Sequence, residues 1–293
     1  MSYAQAIILG LLQGVSELFP ISSLGHSVIV PQLLGWNDVV AAQSASESYF
    51  LAFLVGLHVA TATALAVFYW RDWVRIVGAM LRSLRSRRID TPDARLGWLL
   101  VMATIPAGIA GLLFEHVFRT VFAKPELAAG FLIVNGLILL AAEWLRRRAQ
   151  VRAVAEAHGL NPAGARRLDT LEFREAGIVG VFQVGALLAG ISRSGITMVA
   201  GLVRGLDHED AARFSFLLAT PIIMVAGVYK LPDLLGPNGN GVLGQVVVGS
   251  IAAGIAAYLS VRFLTRYFTT RTLTPFAVYC LAAGALAMIR FVA

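Results

Sequence analysis

The stretch QGVSELFPISSLGHSVIV, residues 13–30, decides the fold. It lies inside an apolar region, 4–35, long enough to cross a membrane, yet its middle holds Glu17, Pro20, Ser22, Ser23, Gly25 and His26. Pro20 lacks an amide hydrogen and breaks or kinks a helix. A carboxylate and an imidazole are costly to place in hydrocarbon. A second apolar region, 176–204, is interrupted in the same way by AGISRSGIT, residues 189–197. The two regions match at an offset of 170 residues: Gly10 with Gly180, Gln13 with Gln183, Ile21 and Ser22 with Ile191 and Ser192, and Gly25 with Gly195.

Around these lie six uninterrupted apolar segments, approximately 48–70, 96–114, 126–145, 212–229, 242–264 and 274–291. Each is near the length, about 20 residues, that crosses a bilayer core as a helix. Composition agrees. Of 293 residues, 58% are hydrophobic and 14% charged, and mean hydropathy is +0.75, whereas a soluble domain carries about 25% charged residues. The expected fold is an all-α polytopic membrane protein. Soluble, disordered, collagen-like and disulfide-scaffold classes are excluded. Cys280 is the single cysteine and has no intramolecular partner. The first apolar stretch has no basic n-region and a polar middle, so no cleavable signal is expected. The net charge of +7 sits in loops between apolar segments, which points to membrane lipids and not to nucleic acid.

Charge also orients the chain. Loop 71–95 carries seven arginines against three acids, and loop 146–174 carries seven more. The turns near 115–125 and 231–241 carry almost none. The positive-inside rule places the arginine-rich loops in the cytoplasm. Arg204 and Arg213 fall on the same side as loop 146–174, so 176–204 is expected to enter and leave as a re-entrant hairpin. If 4–35 does likewise, the N-terminus lies outside. Each interrupted region is followed by three spans, an odd number, so the second copy is inverted. A single transmembrane domain, 1–293, is expected: repeat one about 4–145, a cytoplasmic linker about 146–174 with a short amphipathic helix, and repeat two about 176–291. The linker arginines are expected to meet anionic headgroups. Inverted repeats with broken helices place polar sites near the bilayer midplane.

The chemistry-bearing residues concentrate at the two breaks. Gln13 and Glu17 are four apart and share a helix face, and Ser22, Ser23 and His26 follow. In the second break Arg193 is the only basic residue between Arg174 and Arg204. Its planar fork suits phosphate. Ser192, Ser194 and Thr197 offer hydroxyls, Gly190 and Gly195 permit close backbone approach, and a helix starting there would add free amides. A structural Arg193–Glu17 ion pair is the alternative. Taken together, an acid, an imidazole, hydroxyls and an arginine suit phosphoryl transfer, in which positioning and charge neutralisation dominate. A site inside the membrane suggests a lipid-borne phosphate.

Both strings resemble the signature motifs of bacterial undecaprenyl-diphosphate phosphatases of the bacitracin-resistance type, (E/Q)xxxE followed by PxSSxGH, and PGxSRSxxT. The resemblance covers almost the whole chain. It implies six spans, two re-entrant hairpins and an inverted repeat in the cell membrane. It also implies removal of the terminal phosphate from undecaprenyl diphosphate, which recycles the carrier lipid for peptidoglycan and other wall polymers and contributes to bacitracin resistance. By residue, the first motif falls on Gln13, Glu17, Ser23 and His26, and the second on Gly190, Ser192, Arg193, Ser194 and Thr197. Three positions depart from the pattern. Gln13 makes a two-carboxylate metal clamp unexpected, Ala189 stands for proline, and Leu54 replaces an acid four residues before His58. His58 is therefore expected to be a packed polar contact.

The expected mechanism has Arg193 binding the diphosphate with help from Gln13, Ser22 and the second-motif hydroxyls, and Ser23 as candidate nucleophile. Glu17 or His26 takes its proton; alternatively, Glu17 activates a water directly. The resemblance implies a divalent cation, Mg²⁺ or Ca²⁺, between Glu17 and the diphosphate. It also implies a site open to the extracytoplasmic face, and it allows a homodimer. The rival reading is a polyprenyl-phosphate transporter or flippase that uses the same anion site without cleavage. A non-cleaving lipid binder and a structural scaffold are the remaining alternatives.

Overall fold

Among the described residues six helices are long and apolar enough to cross a membrane, and they set the frame of the molecule. The computed structural model describes residues 1–44, 49–120, 124–156, 167–230 and 241–292. In chain order the helices are α1 (Tyr3–Ser16), α2 (Ser23–Leu33), α3 (Asn37–Ser44), α4 (Tyr49–Phe68), α5 (Trp70–Ser86), α6 (Pro92–Thr120), α7 (Pro125–Glu156), α8 (Phe173–Val184), α9 (Arg193–Val203), α10 (His208–Tyr229), α11 (Leu243–Tyr267) and α12 (Thr274–Val292). Among the described residues there is no strand. The span-length helices are α4, α6, α7, α10, α11 and α12, close to the segments expected from hydropathy. α2 and α9 have 11 residues each, roughly 17 Å at 1.5 Å per residue, too short to cross about 30 Å of hydrocarbon.

Two elements differ from the sequence reading. Loop 71–95 contains α5, whose Ile76, Ala79 and Ser83 are buried, with Trp98 of α6 donating from Nε1 to Ser83 Oγ at 2.9 Å. Its opposite face exposes Trp70, Val74, Val77, Leu81 and Leu84, one stripe at helical spacing beside the arginines. Those arginines lower the mean hydropathy and hide the periodicity. α7 also continues to Glu156, so the first part of the expected linker is helical. The remainder of the linker, 157–166, and most of the turn at 231–241 lie outside the described residues.

Lipid is as apolar as leucine, so close backbone packing holds such helices together in place of a hydrophobic drive. α1 lies against α11, and α8 against α6. Glycine permits both approaches: a Cβ at Gly10 would overlap the Gly249 carbonyl, and one at Gly180 the Ala103 carbonyl. α7 and α12 pack through Gly136 and Gly284, each facing the other helix's backbone. α4 packs on α11 and on α10, α10 also meets α6, and α9 lies between α7 and α10. At one end, buried Glu143 ties three elements: its Oε1 meets His208 Nε2 at 2.6 Å and accepts from the Leu273 amide at 2.8 Å.

Candidate active site

α1 stops because Pro20 cannot continue it. Glu17, at its C-cap, still donates its amide to Gln13 O at 2.9 Å. The chain then turns through Ser22 at φ 70°, a left-handed conformation that costs about 1–3 kcal/mol in a non-glycine residue. Two bonds hold it there: Ser22 Oγ accepts the Gly25 amide at 3.2 Å, capping α2, and the Gly190 amide at 3.1 Å from the other break. Gly190 sits at φ 107°, where a Cβ would strike the Ala128 carbonyl. Ser192 caps α9 by accepting the Gly195 amide at 3.1 Å. Asn135 of α7, 1% exposed, joins the breaks, with Nδ2 donating to Pro20 O and Oδ1 accepting from the Ser192 amide, each at 3.0 Å.

This framework brings Gln13, Glu17, Ser23 and Arg193 together. Glu17 is 6% exposed. Its Oε2 accepts from Gln13 Nε2 at 2.9 Å and from Ser23 Oγ at 2.5 Å. Its Oε1 accepts from Arg193 Nη2 at 2.9 Å. The other guanidinium nitrogen, Arg193 Nη1, is buried and has no hydrogen-bond partner. A buried donor left unpaired costs about 1–3 kcal/mol or more, so an acceptor arriving there is favoured. A hydroxyl bonded to a carboxylate is the arrangement in which a base activates a nucleophile.

Other expected site residues are placed differently. His26 is turned to other partners: its Nδ1 meets Ser22 O at 2.7 Å and its Nε2 meets Tyr279 Oη at 2.8 Å. The hydroxyls of the second break have protein partners: Ser192 and Ser194 meet each other at 3.0 Å, Ser194 donates to Phe19 O at 3.2 Å, and Thr197 meets Ser215 Oγ at 2.6 Å. Sequence reasoning left three neighbours of the site unassigned. His58, expected as a packed polar contact, points Nε2 at Glu17 Oε2 from 3.5 Å. Asn135, the polar residue inside an apolar span, was the signal available for the clamp. Tyr279 carried no signal.

A divalent cation takes oxygen donors. Among the described residues no group of three or more His, Cys, Asp or Glu gathers to form a cage. However, buried Gln13 Oε1 has no partner and belongs to the amide that bonds Glu17. Those two side chains fit a cation that draws its remaining ligands from a bound phosphate.

This geometry defines a class: polytopic membrane proteins that hold an ionised polar site between broken helices. Within that class the chain belongs to the bacitracin resistance protein BacA family, whose model matches residues 6–286. It is similar to the undecaprenyl-diphosphatase of Mycolicibacterium paratuberculosis, 58% identical over 99% of this chain and 97% of the relative. Undecaprenyl-diphosphatase 2 of Frankia alni is 55% identical over 99% and 98%. The undecaprenyl-diphosphatase of Gluconobacter oxydans is 43% identical over 97% of each.

Proposed function

We propose that the protein hydrolyses undecaprenyl diphosphate to undecaprenyl phosphate and inorganic phosphate, recycling the carrier lipid for wall polymer synthesis. Family membership and relatives named undecaprenyl-diphosphatase along the full chain support this reading over transport without cleavage. The observation that carries it to particular residues is the unpaired Arg193 Nη1 beside a Ser23–Glu17 pair. Arg193 binds the terminal phosphate and stabilises the charge that builds on it. Ser23 Oγ attacks that phosphorus and passes its proton to Glu17. The bond from phosphorus to the bridging oxygen breaks, and undecaprenyl phosphate leaves with the proton from Glu17, which is again a carboxylate. Water then attacks the phosphoserine, Glu17 takes the water's proton and returns it to Ser23 Oγ as the serine–phosphorus bond breaks, and inorganic phosphate is released. Glu17 and Gln13 would hold a Mg²⁺ or Ca²⁺, which would supply charge neutralisation when bound. Trapping phosphate on Ser23 in a quenched reaction supports the covalent route; full turnover by Ser23→Ala would eliminate it and leave water activated by Glu17.

We also infer that α1–α2 and α8–α9 are re-entrant hairpins in an inverted-topology repeat. Their short lengths and the reciprocal packing of α1 on α11 and α8 on α6 support this. The site then opens to the extracytoplasmic side, with the N-terminus there. A single cysteine at position 2, in a Cys280→Ser background, is expected to react with an impermeant reagent on intact cells; protection would contradict it.

A further inference from the structure

Resting on the hydrolytic reading, the geometry points to His58 as the positioning residue that takes over Glu17 when Arg193 turns to the substrate phosphate. Arg193 serves Glu17 through Nη2, and its buried Nη1 has no partner. A phosphate that first meets Nη1 and then takes both prongs of the fork, as phosphates commonly do, displaces Glu17 from Nη2. Glu17 is then a buried carboxylate that has lost its guanidinium partner, and breaking a buried ion pair is costly. Ser23 cannot compensate, since its proton is the one transferred. Gln13 contributes one neutral amide.

His58 is the remaining group within reach. Its Nδ1 meets the Leu54 carbonyl one turn earlier at 2.8 Å, which fixes the ring and aims Nε2 at Glu17 Oε2, the oxygen bonded to Ser23. At 3.5 Å it stands just outside full hydrogen-bonding distance, so a small advance closes the contact. Its side chain is 29% exposed against 6% for Glu17, so it lines the approach to the carboxylate. His26 is unsuited to the task, because Tyr279 and Ser22 engage both its ring nitrogens.

The test is steady-state hydrolysis of undecaprenyl diphosphate in detergent by the full chain and by His58→Ala, His58→Leu and His58→Gln, with Glu17→Gln and Arg193→Lys alongside. Loss of one charge-assisted bond predicts a fall in kcat of about 10- to 100-fold for His58→Ala and His58→Leu. KM is expected to stay within about twofold, because Arg193 and not His58 grips the phosphate. His58→Gln, whose amide can donate to Glu17, is expected to regain most of kcat. His58→Leu fills the space without a nitrogen, so it carries the expectation if the alanine variant fails to fold. Undiminished kcat in both nitrogen-free variants would overturn the role. So would a loss that glutamine does not relieve, or one confined to KM. Should Glu17→Gln and Arg193→Lys turn over normally, the hydrolytic site itself is misplaced, whatever His58 does.

Discussion

The two chain breaks share a frame and differ in chemistry. At the offset of 170 residues, Ser22 and Ser192 are both N-caps, Gly25 and Gly195 both donate to those caps, and α2 and α9 each run for 11 residues. The first residue of each short helix is where they part: Ser23 in one, Arg193 in the other. Glu17 has Leu187 as its counterpart. One break therefore holds an anion and a hydroxyl, and the other supplies the cation. Neither is a site alone. Two tips of like backbone can divide the charges of one site between them, because each holds only one kind of charge and the opposing tip neutralises it.

Removing charge from either tip is expected to have the largest effect. Glu17→Gln and Arg193→Ala should each lower phosphate release about 10³-fold, near the upper range for losing a preorganised electrostatic contact. A much smaller loss from one of them would mean that the tips do not work as a unit. Arg193→Lys keeps the charge but loses the two-pronged fork, and about a 10²-fold loss in kcat is expected. Asn135→Leu leaves the frame's charges intact but unpairs the Ser192 amide and leaves Pro20 O to the Cys280 thiol alone. Melting in detergent should show about 1–3 kcal/mol of destabilisation, the cost of one buried group left unpaired. The caps give the smallest effect and the sharpest contrast. Ser192→Ala should cost about 1 kcal/mol; Ser22→Ala should cost more, because its hydroxyl also receives the Gly190 amide from the other tip. Equal losses would argue that the tips are independent.

Local signals made much of this legible in sequence. The six spans follow from length and apolarity, and the breaks follow from Pro20 and the clustered glycines and serines. Gln13 and Glu17 share a face by helical spacing, and their hydrogen bond is observed. Long-range contacts were not legible. His58 lies 41 residues from Glu17 in sequence, on a helix whose missing acid at Leu54 suggested an idle neighbourhood. The His26–Tyr279 contact spans 253 residues and diverts a histidine that proximity alone had assigned to Ser23. α5 was hidden by its own arginines, since average hydropathy cannot see a stripe.

Whether one site is assembled from two tips is decided by phosphate release from undecaprenyl diphosphate by purified protein in detergent. Detergent removes the two sides that transport requires. Turnover by the intact protein is expected, abolished alike by Glu17→Ala and by Arg193→Ala, with both variants folded. Turnover that survives in folded Arg193→Ala within a few-fold of the intact protein would contradict it.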